Sequence, residues 1–227
     1  MPRVGRKAAG GVVYHVLNRG NGRARLFHKP ADYEAFLRIV AEVKQSVSVR
    51  VLGFCLMPNH WHFLLWPLKD GDLSAFMLRL ATTHVRRLHA HRHDRAGGHV
   101  YQGRFKSFPV QDDAHLLTVL RYIEANPLRT KLKTRGRDWP WSSLAMRLVK
   151  PPAVPPILDH LPLPLPADWE QIVQKRWEKA QLAEVRESVI RGRPFGSNQW
   201  VAATAKMLDL GFTLRERGRP RKVRKEK

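Results

Sequence analysis

The sequence contains very little cysteine and no long apolar run. Cys55 is the single cysteine among 227 residues, which excludes an internal disulfide and a zinc site built on cysteines. No stretch of about 18 apolar residues is present, so a membrane-spanning helix is not expected. The basic start of the chain also has no apolar core of the kind that a signal peptide carries. We therefore expect a cytoplasmic protein that does not enter a membrane.

Acidic residues are also scarce relative to basic ones. The chain has 41 Lys+Arg against 19 Asp+Glu, a formal net charge of +22. A chain this basic is expected to bind a polyanion, and nucleic acid is the commonest. A membrane surface is the weaker alternative, because no long basic amphipathic helix is evident. Charge does not distinguish DNA from RNA, so an RNA-binding or RNA-processing protein stays a possibility at this point.

Hydrophobic patterning predicts an α+β fold. Hydrophobic residues make up 43% of the chain, enough for a core. Predicted strands cover residues 12–18, 47–58, 60–67 and 100–110, and predicted helices begin at Pro30 and cover 72–92 and 113–126, with Pro127 ending the last. The resulting order, βαββαβα, is typical of a ferredoxin-like antiparallel sheet with helices packed on it.

The character of the sequence changes after about residue 150. A proline-rich stretch, 150–166, predicts an extended linker or a wrap around the core. It is followed by predicted helices over 167–191 and 199–209 and by a strongly basic end. We therefore predict a domain over residues 1–150 and, over 151–227, a proline-rich linker with a basic helical extension.

Two histidines stand in the second strand of a predicted central hairpin. Because side chains alternate along a strand, His60 and His62 share one face, about 6.6 Å apart, while Trp61 and Phe63 point into an apolar layer. Two neutral imidazoles at this spacing can hold one divalent ion. Two histidines on a water-facing strand are the simpler alternative, but the apolar flanks favour a central strand.

A tyrosine and an asparagine lie one turn apart on the last predicted helix of the core. At about 100° per residue, Tyr122 and Asn126 are separated by about 40° at one edge of the apolar stripe. A helix packed on the sheet could direct both side chains at the site of the histidines. Taken alone, Tyr122 could be a half-buried tyrosine and Asn126 an ordinary helix end before Pro127.

The combination of these side chains favours phosphoryl transfer. A phenol is a weak nucleophile in water, and a divalent ion can offset the charge that develops on a phosphate under attack. Two histidines and one amide leave such an ion net positive, and the phosphate supplies the missing anion. The amide and phosphate oxygens favour Mg²⁺, with Mn²⁺ possible.

Several segments in their order resemble a known family, the REP-associated tyrosine transposases, relatives of the single-tyrosine HUH transposases. The segments are LMPNHWHFLLWP, YQGRFKSFPV, LRYIEANPLRT, DWPWSS and GRPFGSNQW, and the resemblance runs from Val12 to Lys222. It implies a ferredoxin-like HUH core acting on single-stranded DNA hairpins called repetitive extragenic palindromes (REP). It also implies that His60, His62 and Asn126 bind the metal, that Tyr122 is the nucleophile, and that the protein acts as a monomer.

Basic residues near these segments are candidates for binding DNA. Arg19 and Arg23 lie in the first turn, and Arg104 and Lys106 are predicted to share a strand face near the metal. The tail residues are expected to add sequence-independent affinity: Arg217, Arg219 and Arg221. Solvated surface charge is the alternative for each. The tail could grip the hairpin or block the active site.

Other aromatic and histidine residues have a structural interpretation that we prefer. Trp139 and Trp141 could stack on unpaired bases, but anchoring their segment to the core is favoured. A group of histidines along and past the second helix could suggest another metal site, but a solvated helix end is favoured: His84, His89, His91 and His93.

The sequence therefore predicts an enzyme that cuts and rejoins single-stranded DNA beside a REP hairpin through a 5′-phosphotyrosine intermediate. We expect it to act in the cytoplasm, at the nucleoid. The alternative is a catalytically silent hairpin-binding protein that serves in repeat maintenance or regulation.

Overall fold

A four-stranded antiparallel sheet lies at the centre of the computed structural model, which describes residues 8–91, 98–149 and 155–215. The strands are β1 (Val13–Arg19), β2 (Val49–Met57), β3 (His60–Pro67) and β4 (Lys106–Val110), in the spatial order β2-β3-β1-β4. Each neighbouring pair is antiparallel. This confirms the α+β fold with a ferredoxin-like strand order.

Helices cover both faces of the sheet. On one side lie α1 (Pro30–Ser46) and α2 (Asp72–His91), and Phe36 of α1 packs against Trp61 and Phe63 of β3. On the other side lies α3 (Ala114–Glu124), whose N-terminus is capped by Asp113 accepting from the His115 amide. The predicted apolar layer under β3 is therefore confirmed, and the opposite face of the same strand is directed at α3.

The predicted boundaries were wrong at three places. The strand predicted over 100–110 is regular only from Lys106, and Tyr101 contributes one isolated bridge to Gly20. Pro127 does not end the helical path, because it lies in the first turn of a new short helix, α4 (Asn126–Arg129), where a missing amide hydrogen has no cost. The helix predicted over 167–191 is two helices, α6 (Trp169–Gln174) and α7 (Lys179–Arg191).

The segment after residue 150 packs on the core over its described part. Residues 155–168 have no helix or strand, yet the Asp159 carboxylate accepts from the Val51 amide at 2.7 Å and pairs with Lys44. Further along, Phe195 forms a parallel bridge to Val110 at the β4 edge of the sheet. The described residues also form α5 (Ser143–Leu148) before the segment and α8 (Asn198–Met207) within it. The division into domains at residue 150 stays a prediction.

Within the described residues, no helix is both long and apolar enough to cross a membrane.

Candidate active site

The two predicted histidines lie on the sheet face that α3 covers. In the antiparallel register, His60 stands opposite Arg19 and His62 opposite Leu17. The shared face expected from strand alternation is confirmed. Both side chains are buried, His60 at 9% and His62 at 4% exposure, so they are not the water-facing pair of the simpler alternative.

Tyr122 of α3 lies over this pair of histidines. Its ring meets the His62 imidazole edge-on, with 6.0 Å between the ring centroids. The close approach of α3 is helped by Gly53 on β2, where a Cβ would lie 2.3 Å from a methyl carbon of Leu120. Residues separated by some 60 positions in the chain are thus brought to one site by the packing of a helix on the sheet.

Each of the two histidines uses its Nδ1 atom for a neighbour within the protein. His60 Nδ1 lies 2.7 Å from the Asn59 Oδ1 atom, and His62 Nδ1 lies 2.8 Å from the Nε2 atom of His15. Since an amide oxygen only accepts, His60 carries its proton on Nδ1. Both rings can therefore offer Nε2 to a ligand, provided that His62 Nδ1–H donates to His15.

His15 is a site residue that the sequence reasoning missed. It stands on β1, is fully buried, and its ring lies 4.7 Å from that of Phe108 between ring centroids. Its alternation with Leu17, two residues on, would have placed it on the histidine face once the strand register was known. Metal-binding histidines usually bond a second residue through their other nitrogen, and His15 fills that position for His62.

Burial keeps these three imidazoles neutral at neutral pH. It lowers the pKa of His15 to about 3 and the pKa of His60 to about 4, and it holds the pKa of His62 well below its ordinary value. Nearby Arg129 adds a smaller effect in the same direction at all three. Neutral imidazole is the form that binds metal, so the protonation state suits a metal site.

Asn126 is close to Tyr122 but its amide oxygen is already engaged. The Arg129 guanidinium donates to Asn126 Oδ1 at 2.8 Å, and the Asn126 amide donates to the Ile123 carbonyl at 3.1 Å. One lone pair of that oxygen is left for a cation. Asn126 therefore fits the predicted ligand role only if it shares its oxygen with Arg129 or releases it.

The donor set is consistent with a hard divalent cation completed by phosphate. Among the residues that the structure describes, no three His, Cys, Asp or Glu side chains are grouped to hold a metal ion. A site at His60 and His62 therefore needs ligands of another kind, such as an amide oxygen, water or the DNA itself. The histidine pair leaves room for such ligands. Asn126 can be one of them if its Oδ1 atom is shared with Arg129 or released by it.

A buried carboxylate two residues from Tyr122 ties α3 to the rest of the chain. Glu124 is fully buried, and its oxygens accept from Ser143 Oγ at 2.5 Å, from the Trp169 indole at 2.7 Å and from Arg147. Burial raises the pKa of this carboxyl, and the Arg147 charge opposes the shift. The helix that carries Tyr122 is therefore anchored by both the core and the C-terminal extension.

The break between α6 and α7 places a tryptophan beside the tyrosine. Trp177 meets the Tyr122 ring edge-on at 6.2 Å between ring centroids, and the Arg121 guanidinium lies 4.2 Å from the centroid of the Trp177 ring. Arg121 also donates to the Lys175 carbonyl at 2.7 Å. This contact had no signal in the sequence, where the segment was predicted to be a continuous helix.

The predicted DNA-binding residues are distributed around the histidine face. Arg19 is half-buried opposite His60, and Lys106 is exposed opposite Leu17, so both border the site. Arg23 is exposed in a short 3-10 turn, and its carbonyl accepts from the Asn59 amide at 3.3 Å. Arg104 is exposed before β4 begins and does not share a strand face with Lys106, contrary to the prediction. The three basic tail residues predicted to bind DNA lie outside the described residues: Arg217, Arg219 and Arg221.

The aromatic and histidine alternatives are resolved in part. Trp139 and Trp141 are buried, and the Trp141 ring stacks on Tyr33 at 4.8 Å between centroids, so both anchor their segment as preferred. His84 is buried and its Nδ1 lies 2.6 Å from the Tyr101 hydroxyl, which corrects the expectation of a solvated residue there. His89 is exposed as expected, the side chain of His91 is not described, and His93 falls outside the described residues.

Comparison with known proteins finds a matching family model, a curated relative and a structural relative. The family model described as "Transposase IS200 like" matches residues 9–126. A protein of Haemophilus influenzae named REP-associated tyrosine transposase is 28% identical over 100 residues, which are 40% of this chain and 57% of that protein. A solved structure of a REP-associated tyrosine transposase bound to a REP hairpin superposes with a TM-score of 0.54 at 19% identity, covering 69% of this chain and 90% of that one.

These matches confirm the resemblance that the sequence motifs indicated. The structural relative shares the fold, and the matched part of the curated relative is little more than half of its length. The family match spans more than half of this chain and includes the two histidines, Tyr122 and Asn126. The chain belongs to the IS200-like transposase family.

Proposed function

We propose that this protein cuts and rejoins single-stranded DNA beside a hairpin, with Tyr122 as the nucleophile. The observation that carries the proposal is the contact of Tyr122 with His62, whose ring centroids are 6.0 Å apart on a buried sheet face. A phenol beside two neutral imidazoles that can offer Nε2 to a metal ion suits metal-assisted attack on a phosphodiester.

The reaction balances without an external energy source. The Tyr122 Oη atom forms a bond to phosphorus and loses its proton, while the bond from phosphorus to the 3′-oxygen breaks and that oxygen leaves as a 3′-hydroxyl. The product is a 5′-phosphotyrosine ester. Because one phosphodiester replaces another, attack by a 3′-hydroxyl reverses the step and rejoins DNA without ATP.

The metal site of this proposal consists of His60, His62 and Asn126. A bound Mg²⁺ or Mn²⁺ would polarise the scissile phosphate and offset its developing charge. The neighbours Asn59 and His15 orient the two imidazoles through their Nδ1 atoms. The family membership and the basic residues Arg19 and Lys106 beside the site support this assignment.

The proposed substrate is a REP-type DNA hairpin with an unpaired flank. A hairpin of this kind is bound by the structural relative, and the formal net charge of +22 suits any nucleic acid. We propose that the protein acts as a monomer at the nucleoid. A competition between deoxy and ribo hairpins of one sequence tests the choice of DNA, and equal affinity would contradict it.

Covalent trapping tests the nucleophile. Wild-type protein is incubated with a labelled single-stranded hairpin DNA and Mg²⁺ and run on a denaturing gel, beside Tyr122→Phe and, as a matched control, Tyr33→Phe on the far side of the sheet. We expect a shifted protein–DNA band in the wild type and the control. A band of equal intensity in Tyr122→Phe would show that the nucleophile is another residue.

The metal site is tested by a separate substitution. We expect His60→Ala to lose both Mn²⁺ binding and adduct formation. Electron paramagnetic resonance measures the Mn²⁺ binding. His84→Ala removes a buried histidine on the opposite face and is expected to keep both. Undiminished Mg²⁺-dependent cutting by His60→Ala would contradict the site.

A catalytically silent hairpin-binding protein is the second candidate. The bond from Arg129 to Asn126 Oδ1 favours it, because that oxygen is the one the metal would require. Tight hairpin binding by the wild type without any adduct, in Mg²⁺ and in Mn²⁺ and across several hairpins, would establish this alternative.

A further inference from the structure

A groove runs along one side of α7, from the break before the helix towards its C-terminal end. It consists of two adjoining cavities of about 430 and 470 Å³, which share the side chains of Lys179, Leu182 and Arg186. The first cavity also reaches Arg129 and Trp177, and the second extends to Arg191. We call this continuous depression the α7 groove.

The spacing along α7 explains why the groove is continuous. Lys179, Leu182, Arg186 and Ile190 follow one another at intervals of three and four residues, which places them on one stripe of the helix. The stripe is about 16 Å long at the rise of an α-helix. It alternates cationic and apolar side chains. Lys179, Arg186 and Ile190 are exposed, Ile190 at 57%, whereas Leu182 packs partly against the core and forms the floor of the groove.

The groove carries an excess of positive charge. Its lining includes six cationic side chains: Arg129, Lys175, Arg176, Lys179, Arg186 and Arg191. Glu187 is the single acidic residue that lines either cavity within the described part of the chain. That carboxylate is already paired, with Arg191 at 3.3 Å and with Arg193 at 3.7 Å. The charge at Lys179 and Arg186 is therefore left for an external anion.

One end of the groove is lined by two residues that contact the ring of the buried Tyr122, the proposed nucleophile. Arg129 lines the groove and holds its guanidinium 3.9 Å from the centroid of the Tyr122 ring. Trp177 lines the same end and meets Tyr122 edge-on at 6.2 Å between ring centroids. A chain that occupies the groove is therefore led towards Tyr122.

We propose that the α7 groove binds the unpaired DNA strand that leads from the hairpin to Tyr122. This inference rests on the proposed function, since it names the part of the substrate that reaches the same site. A row of cations with apolar surface between them suits the phosphates and bases of a single strand. The groove thus separates the recognition of the unpaired flank from that of the paired stem.

The protein's own C-terminal tail is a poor occupant by comparison. After Arg215 the sequence contains seven basic and two acidic residues, so its charge has the same sign as the lining of the groove. An acidic protein segment would satisfy the charge but would have no reason to end at a nucleophilic tyrosine. Single-stranded DNA satisfies both the charge and the position.

Binding measurements in EDTA test the groove apart from any chemistry. The probes are a DNA hairpin with thymidine tracts extending from its stem and the same hairpin with a blunt end. Arg186→Glu is compared with Lys206→Glu, the same charge change at an exposed position of α8, and Arg186→Ala serves as a milder variant. Thermal unfolding verifies that each variant folds.

We expect Arg186→Glu to weaken binding of the tailed hairpin by about tenfold, as the loss of one charged contact does. The slope of the logarithm of its binding constant against the logarithm of the salt concentration should become smaller by about one. The blunt hairpin should bind Arg186→Glu and Lys206→Glu alike. The proposal is overturned if the wild type binds both hairpins equally, or if the two variants lose the same affinity for the tailed hairpin.

Photo-cross-linking gives the position of the strand directly. Iododeoxyuridine replaces thymidine in the tract, and cross-linked peptides are identified by mass spectrometry. We expect peptides that contain residues lining the groove, from 173–191 or 125–129, and cross-links confined to other parts of the chain would overturn the proposal. An acidic peptide that displaced the tailed hairpin from the wild type but not from Arg186→Glu, while the thymidine tract alone failed to compete, would assign the groove to a protein partner instead.

These outcomes are separable from those of the proposed function. If Arg186→Glu selectively loses affinity for the tailed hairpin and the wild type forms no covalent adduct, the groove proposal holds and the proposed catalytic function fails. If the wild type forms an adduct and Arg186→Glu binds the tailed hairpin as tightly as the wild type does, the proposed catalytic function holds and the groove proposal fails.

Discussion

The Arg129 guanidinium lies over the ring of Tyr122, 3.9 Å from its centroid, and donates to the backbone carbonyl of the same residue. It also donates to Asn126 Oδ1 at 2.8 Å. One half-buried cation thus fixes both the proposed nucleophile and the proposed third metal ligand. The short helix α4, which begins after α3 has ended, is what brings Arg129 back over Tyr122.

Replacing Arg129 should lower stability and loosen the site. For Arg129→Lys we expect a loss of about 2 kcal/mol in the free energy of unfolding, because an ammonium group cannot stack on the ring and bond two oxygens in the same way. Urea unfolding measures this. Lys206→Ala, at an exposed position of α8, should change stability by less than about 0.5 kcal/mol. Equal losses in the two variants would show that the stacked contact contributes nothing.

The His15–His62 bond should control metal affinity. For His15→Phe, which removes the partner of His62 Nδ1, we expect Mn²⁺ affinity to fall by about ten- to a hundredfold, the usual cost of removing such a partner. His15→Gln restores an acceptor and should recover part of the loss. Electron paramagnetic resonance of Mn²⁺ measures the affinity, with His84→Phe as a control for loss of a buried histidine. Unchanged Mn²⁺ binding in His15→Phe would rule out the positioning role.

His15 should also make the fold sensitive to acid. Burial lowers its pKa in the folded protein to about 3, from an ordinary value near 6.5. Between these values the unfolded chain holds a proton that the folded state rejects, so this stability is complete above pH 6.5 and decreases as the pH falls towards 3. At about pH 5 the expected loss is about 2 kcal/mol relative to neutral pH.

The measurement is the free energy of unfolding in EDTA at about pH 7 and about pH 5, for the wild type and for His15→Gln. The free energy of unfolding should decrease from about pH 7 to about pH 5 by about 2 kcal/mol less in His15→Gln than in the wild type. The carboxyl groups titrate in both proteins and cancel in this comparison. An identical pH dependence would mean that His15 does not remain neutral in the folded state at pH 5.

The buried Glu124 should hold α3 and the C-terminal extension together. Glu124→Gln leaves Arg147 without its carboxylate and disturbs the bond from the Trp169 indole, so we expect a loss of about 3 kcal/mol in the free energy of unfolding. Glu34→Gln breaks an exposed pair with Arg38 and should cost less than about 1 kcal/mol. Chemical denaturation measures both. A cost as small as that of the exposed pair would show that this buried network does not tie the two parts.

Much of the core could be predicted because local patterns report it directly. Strand alternation put His60 and His62 on one face, and the hairpin between β2 and β3 was found from two apolar runs around Pro58 and Asn59. The helix that carries Tyr122 was found from its apolar stripe. In each case the signal lies within a few residues of the feature that it predicts.

The missed features depend on which elements pack together. His15 became a site residue only when β1 paired with β3 in a particular register, and Trp177 only when the chain broke between α6 and α7 and turned against α3. The position of Arg129 over Tyr122 depends on a new helix that starts at Asn126, whereas the sequence pattern indicated that Pro127 ends the helix. Long-range packing energies, and not the local sequence, select among these arrangements.

The sequence by itself therefore determined the order of strands and helices in the core and the family, because periodicity and motif spacing are local properties. It also predicted His60, His62, Tyr122 and Asn126 as the residues of the site. Only the tertiary structure decided what surrounds them: His15 behind His62, Arg129 over Tyr122, and a basic groove on α7 that reaches two residues in contact with the same tyrosine. These relations join residues far apart in the chain, and they exist only once burial of the apolar faces has fixed how the helices lie on the sheet.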